Sequence, residues 1–164
     1  MIILVGGLGL AVALVIIGAT LAGTPAAAPQ ISGPGTVDSP RAVSIILRDY
    51  RFDPTPLFLV PGEVVRLSVV NGGLVEHELV LGDATYQAAW RAADAAATPP
   101  APFATAPPAS IDPGLPGLRL VLPSGASTVV DYRVPGSGSL ELICHLPGHA
   151  ERGMVGDVVL RSDY

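Results

Sequence analysis

The sequence has no lysine. Its nine cations are all arginine, set against fourteen acids for a formal net charge of −5. A phosphate backbone demands clustered cations, so nucleic acid is excluded as a partner. Aromatic residues make up only 5%, too few for the platforms on which single strands stack. A single cysteine, Cys144, excludes an internal disulfide. No Lys or Arg precedes Arg41, so the basic n-region of a cleaved signal and the twin-arginine pair are both missing.

What the first 23 residues do have is an almost wholly apolar, uncharged run. As a helix, residues 2–23 would span about 33 Å, close to the hydrocarbon thickness of a bilayer. The run is longer than a signal h-region, and its reading is an uncleaved transmembrane anchor. If it is a signal helix instead, Ala26-Ala27-Ala28 suits the peptidase. Either way the folded part is exported, periplasmic or at the cell surface. Residues 24–40 are rich in Pro, Ala, Gly, Ser and Thr with one charge, Asp38, and read as a flexible linker. The remainder, 41–164, holds one modest core.

In that domain apolar residues recur at every second position, the mark of strands with one face buried. Val43, Ile45 and Leu47 share a parity, as do Val65, Leu67 and Val69. So do Leu118, Leu120 and Leu122, then Val130, Tyr132 and Val134, then Leu140 and Leu142. Asp53-Pro54, Pro61-Gly62, Asn71-Gly72-Gly73, Pro123-Ser124-Gly125 and Pro135-Gly136 supply turns. The expected fold is all-β, a sandwich or barrel. One insertion, about 84–117, departs from it. Asp83 is the N-cap of a helix carrying Tyr86, Ala89, Trp90, Ala93 and Ala97 on one face, ended by Pro99-Pro100 and followed by a Pro/Ala-rich loop.

A lone cysteine in an oxidising compartment needs a role other than pairing. Cys144, His149 and Met154 stand at C-x4-H-x4-M spacing, and a thiolate, an imidazole and a thioether together form a copper ligand set. The second imidazole follows from parity. His77 shares its face with Leu79 and Leu81 and looks inward, whereas Glu76 and Glu78 look out. Cys144 shares the inward face of Leu140 and Leu142. Zinc would accept one cysteine and two histidines, but a thioether argues against it. A catalytic pair of Cys144 with His145 is disfavoured because successive strand residues point apart.

This pattern resembles the cupredoxins, the small blue copper proteins, from about Ala42 to Leu160. The residues that carry the resemblance are Phe52-x-Pro54 followed by Pro61-Gly62 and an alternating strand, Asn71 leading into His77, and Cys144-His145-Leu146-Pro147-Gly148-His149 with Gly153-Met154. Within the family, the four-and-four loop is most similar to those of rusticyanin and sulfocyanin. The resemblance implies a Greek-key β-sandwich and one type 1 copper ion. Its metal residues would be His77, Cys144 and His149, with Met154 as a weak axial sulfur. It also implies that Asn71 ties the ligand loop together and that the Glu78 N–H donates to the Cys144 sulfur. Glu78 itself departs from the Asn or Ser usual after the first histidine, and would add an anion there. His145 ligates a second copper in the enzymes of this family. With three histidines in the chain, a second centre is excluded and His145 is left a surface or supporting role. The binuclear copper subunit of oxidases needs two cysteines and is also excluded.

The function this implies is electron transfer, with no catalytic residues and no small-molecule substrate. Single electrons would pass between redox partners of cytochrome or oxidase type outside the cytoplasmic membrane. The alternatives are copper storage or delivery and a metal-free interaction module. Leu146, Pro147, Gly148 and Ala150 would form an apolar docking patch around His149. Glu76, Glu78, Glu141 and Glu151 would give it a negative rim that attracts a basic partner.

Overall fold

The computed structural model describes residues 33–97 and 108–162. The expected membrane helix at 1–23 and the first part, 98–107, of the expected Pro/Ala-rich loop 98–117 lie outside the described residues. Among those described, no helix is long and apolar enough to cross a membrane.

Nine strands and one α-helix are described. They are β1 (Arg41–Arg48), β2 (Arg51–Asp53), β3 (Leu57–Leu59), β4 (Val64–Asn71), β5 (His77–Gly82), α1 (Ala84–Ala97), β6 (Gly117–Leu122), β7 (Ser127–Arg133), β8 (Glu141–Ile143) and β9 (Val155–Leu160). One sheet has the order β2-β1-β4-β7, the other β3-β9-β8-β5-β6. The chain leaves the first sheet after β4, pairs β5 with β6 in the second, returns in β7 and crosses again to β8 and β9. This is the expected Greek-key β-sandwich with one helix inserted.

The alternation gives the inward faces. Ile45, Leu47, Val65, Leu67, Val69 and Leu142 have no exposed surface, and Leu118, Leu120 and Val130 pack against the same core. Each fully buried aliphatic chain of this kind contributes roughly 1.5–3 kcal/mol. Alternation does not mark β9, because one of its inward positions is Gly156. A Cβ there would lie 3.2 Å from Phe52.

Two corrections concern the edges of the domain. The part of the expected linker that is described, 33–40, leads into β1 with Gly35 bonded on both sides: its N–H donates to Glu63 and its carbonyl accepts from Val64. Glu63 is buried and also accepts from the Val60 N–H and from Arg41 at 2.5 and 2.8 Å. The second correction is Glu78, which alternation sends to solvent. It does point away from His77's face, but every residue of β5 is buried, because α1 covers that side.

The helix begins as read from the sequence, the Tyr86 N–H donating to Asp83 at 2.8 Å. It lies close on β5 and β6 because Gly82, the last residue of β5, and Gly117, the first of β6, stand at its contact point. A Cβ on either Gly82 or Gly117 would fall 2.4 Å from the Tyr86 ring. Gln87, which the expected apolar face omits, is buried as well. Its amide donates to the carbonyls of Val80 and Glu141.

Candidate metal centre

His77 opens β5, and Cys144 follows the last residue of β8. These strands are adjacent and antiparallel, so residues far apart in sequence reach the same end of the sandwich. The loop from Cys144 then turns back on itself. The His149 N–H donates to Leu146, a short 3-10 turn runs over Ala150–Arg152, and Gly153 adopts the left-handed conformation (φ 97°) that ends it. Met154 is held between the others: its N–H donates to the His149 carbonyl at 3.0 Å, and its carbonyl accepts from Cys144 at 3.2 Å.

The donor atoms of His77, Cys144 and His149 all lie within 4.8 Å of one another. The two Nδ1 atoms are 3.3 Å apart, and the Cys144 sulfur is 3.3 Å from Nδ1 of His149. His77, Cys144 and Met154 are fully buried, and His149 is partly so. Thus the structure brings three of the four expected residues to one point, with Met154 in the core beside them. His145 lies outside the cluster, on the other face, with Nε2 2.8 Å from Oε1 of Gln87.

The protonation pattern fits a metal. Asp49 Oδ1 lies 3.1 Å from Nε2 of His77. A carboxylate can only accept, so Nε2 carries a proton, and Nδ1 is the ring atom turned to the cluster that would bind a metal. Burial and the neighbouring His77 hold His149 below the usual imidazole range, so His149 is neutral at neutral pH. Burial pushes the Cys144 thiol up to about 11 against the opposing Glu78 N–H, which reaches the sulfur at 3.4 Å. Without a metal the sulfur is a thiol. A bound ion would remove its proton. One thiolate, two imidazoles and a neighbouring thioether select copper over hard cations and over zinc.

Sequence reasoning missed two residues around this point. Asp49 and Tyr50 form the turn between β1 and β2. Tyr50 has φ +65°, a conformation side chains avoid. Its ring meets His149 edge-on at 5.1 Å and His77 at 6.3 Å. Arg152 locks it from outside, donating to the hydroxyl at 2.5 Å and lying 4.6 Å from the ring centre. Neither residue has a signal in the alternating pattern, since both belong to a turn that only the fold brings over the histidines. Asn71 does tie the loop: its side chain donates to Val75 and Leu122 and accepts from Gly73.

A two-sheet sandwich with this buried His-Cys-His cluster defines the cupredoxin, or blue copper, class. Solved structures agree. Auracyanin B is 29% identical with a TM-score of 0.56, over 80% of this chain and 100% of that one. Auracyanin A, a "blue" copper protein from the green thermophilic photosynthetic bacterium Chloroflexus aurantiacus, shares the fold at 24% identity and a TM-score of 0.52, over 75% of this chain and all of that one. No protein-family model matches the chain. Among curated proteins, the copper-resistant cuproprotein CopI of Rubrivivax gelatinosus is 38% identical over 122 residues, 74% of this chain and 67% of that protein. The chain belongs to the CopI cuproprotein family.

Proposed function

We propose that the protein carries single electrons through one copper ion held by His77, Cys144 and His149, with Met154 as a weak fourth donor. The observation that carries this reading is the convergence of three donors, His77 and Cys144 at the ends of packed strands with no exposed surface and His149 on the loop between β8 and β9. Two imidazoles and one thiolate fixed in this way accept either copper oxidation state with little rearrangement, which an electron carrier requires. The Glu78 N–H on the sulfur and Asp49 on His77 hold the donors in place. Protein loaded with Cu(II) is expected to show the intense visible band of a copper–thiolate bond, lost in Cys144→Ser, and to be reduced and reoxidised reversibly. A colourless copper adduct overturns the reading.

The partner side is the loop around His149. Leu146, Pro147, Gly148 and Ala150 surround a half-exposed imidazole, and small apolar patches suit encounters that form and release quickly. Glu76, Glu141 and Glu151 are exposed and favour a basic redox partner such as a cytochrome. Glu78 is withdrawn from that rim. We place this activity outside the cytoplasmic membrane, anchored by residues 1–23 and without catalysis on a small molecule. Fractionation of cells into membrane and soluble parts tests the anchor.

The relation to CopI favours one second reading, extracytoplasmic copper storage or delivery. A competition experiment separates the two. Rapid handover of copper to an acceptor, with slow electron exchange, would favour delivery.

A further inference from the structure

The helix α1 contributes nothing to the metal cluster, yet it encloses a charge network on the opposite face of the same strands. Glu78 stands at its centre, fully buried. Its N–H donates to the Cys144 sulfur, and its Oε2 accepts the His145 N–H at 3.0 Å. One residue therefore grips Cys144 and the backbone just beyond it. Its other oxygen, Oε1, pairs with Nε of Arg119 on β6. Arg119 in turn is held by α1 as well: its Nη2 donates to Asp94 at 2.9 Å, and its guanidinium lies 4.1 Å from the centre of the Trp90 ring.

A buried carboxylate this close to a metal thiolate is electrostatically expensive unless a cation answers it. It also biases the metal. An anion favours the more positive oxidation state and lowers the reduction potential, whereas a cation raises it. Glu78 and Arg119 are in direct contact and largely enclosed, with side chains 0% and 19% exposed, and their opposite charges pull the potential in opposite directions.

We propose that the α1 insertion is the potential-setting element of the centre, and that Arg119, positioned by Trp90 and Asp94, compensates the Glu78 anion behind the thiolate. The inference rests on Cys144 being a metal ligand. It assigns a role to Glu78, Arg119, Trp90 and Asp94 that neither their sequence nor the ligand cluster requires. Glu78 and Arg119 are positioning and tuning residues, since neither reaches the donor cluster with its side chain.

The test is a redox titration of the full copper-loaded chain, followed through the visible band at fixed pH and salt. Glu78→Gln keeps the backbone N–H on the sulfur and leaves Arg119 uncompensated. At a given applied potential it is expected to shift the oxidised-to-reduced ratio about tenfold toward reduced, which is 59 mV for one electron. Arg119→Gln is expected to shift the ratio by a similar factor toward oxidised, and the double variant to return within about threefold of the parent. Arg119→Lys keeps the charge and is expected to stay nearer the parent than Arg119→Gln does, which separates charge from packing. If Glu78→Gln does not fold, the two Arg119 variants decide alone. Single variants that shift the same way, or by less than about twofold, overturn the inference. A parent protein lacking the thiolate band overturns the copper-site reading instead, and this inference with it.

Discussion

Asp49 and Leu74 meet beside the metal cluster, the Leu74 N–H donating to the same Asp49 oxygen, at 2.9 Å, that faces Nε2 of His77 at 3.1 Å. One carboxylate thereby fixes both the tautomer of a buried histidine and the loop that precedes it. The Leu74 N–H and His77 hold that carboxyl below the usual carboxylate range. There is no room for a larger residue beside it, since a Cβ on Gly73 would lie 2.5 Å from Asp49 and 2.6 Å from His77.

Asp49→Ala removes the acceptor that orients the His77 ring and turns its Nδ1 to the cluster. Copper affinity is expected to fall about 10- to 100-fold, measured by competition with a chelator of known strength. Asp49→Asn retains an acceptor oxygen and is expected to lose much less. Equal losses in the two variants would show that the carboxylate's charge matters more than its hydrogen bond.

The Cys144 thiol gives the metal-free protein a characteristic pH dependence. Its value rises from 9.0 in the unfolded chain to about 11 in the fold. The protonated thiol is the form the fold prefers, so this stability is intact below pH 9 and is lost as pH climbs toward 11. The loss amounts to roughly 2–3 kcal/mol. Tyr132, pushed up to about 12 by burial, adds a loss of the same sign only from about pH 10 upward. Urea unfolding of the metal-free chain against pH is expected to show the decline from pH 9, and Cys144→Ala to remove its first part. At neutral pH, copper uptake is expected to release one proton from this thiol, read with an indicator in weak buffer.

Glu63 anchors the segment before β1. Burial works against its charge, but Arg41 and the N–H groups of Val60 and Gly35 outweigh it and hold it below the usual 4.5. The stabilisation is present above pH 4.5 and lost as pH falls below it. Glu63→Ala leaves Arg41 and two N–H groups without their acceptor, and is expected to cost about 3–5 kcal/mol. The urea midpoint should fall while the visible band of the copper form stays unchanged, because the pair lies away from the metal cluster.

Gly117→Ala tests how α1 is seated. The new methyl would lie 2.4 Å from the Tyr86 ring, which must move, at a cost of roughly 1–3 kcal/mol. Trp90 is the protein's single tryptophan. A change in its fluorescence is expected at denaturant concentrations where the β-sandwich remains folded.

Much of the fold was legible because its rules are periodic. Alternation at Val43 to Leu47, Val65 to Val69 and Leu118 to Leu122 marks inward faces that the structure buries, and Asp83 marks the start of α1. The short strands β2 and β3 are too brief to display a period, and Gly156 interrupts the one in β9. Glu78 shows the limit of parity. It correctly separates the side chain from that of His77, but whether the far face meets water depends on a helix that returns from later in the chain.

Composition and local pattern by themselves determined one β-domain and a set of soft donors, because strand pleating and ligand chemistry act between near neighbours in sequence. Only the tertiary structure decided that Asp49 and Tyr50 close over the histidines and that Arg119 answers a buried Glu78. Those relationships join β1, β5, β6 and α1 across the sandwich, and no local rule fixes contacts between segments that meet only once the core has formed.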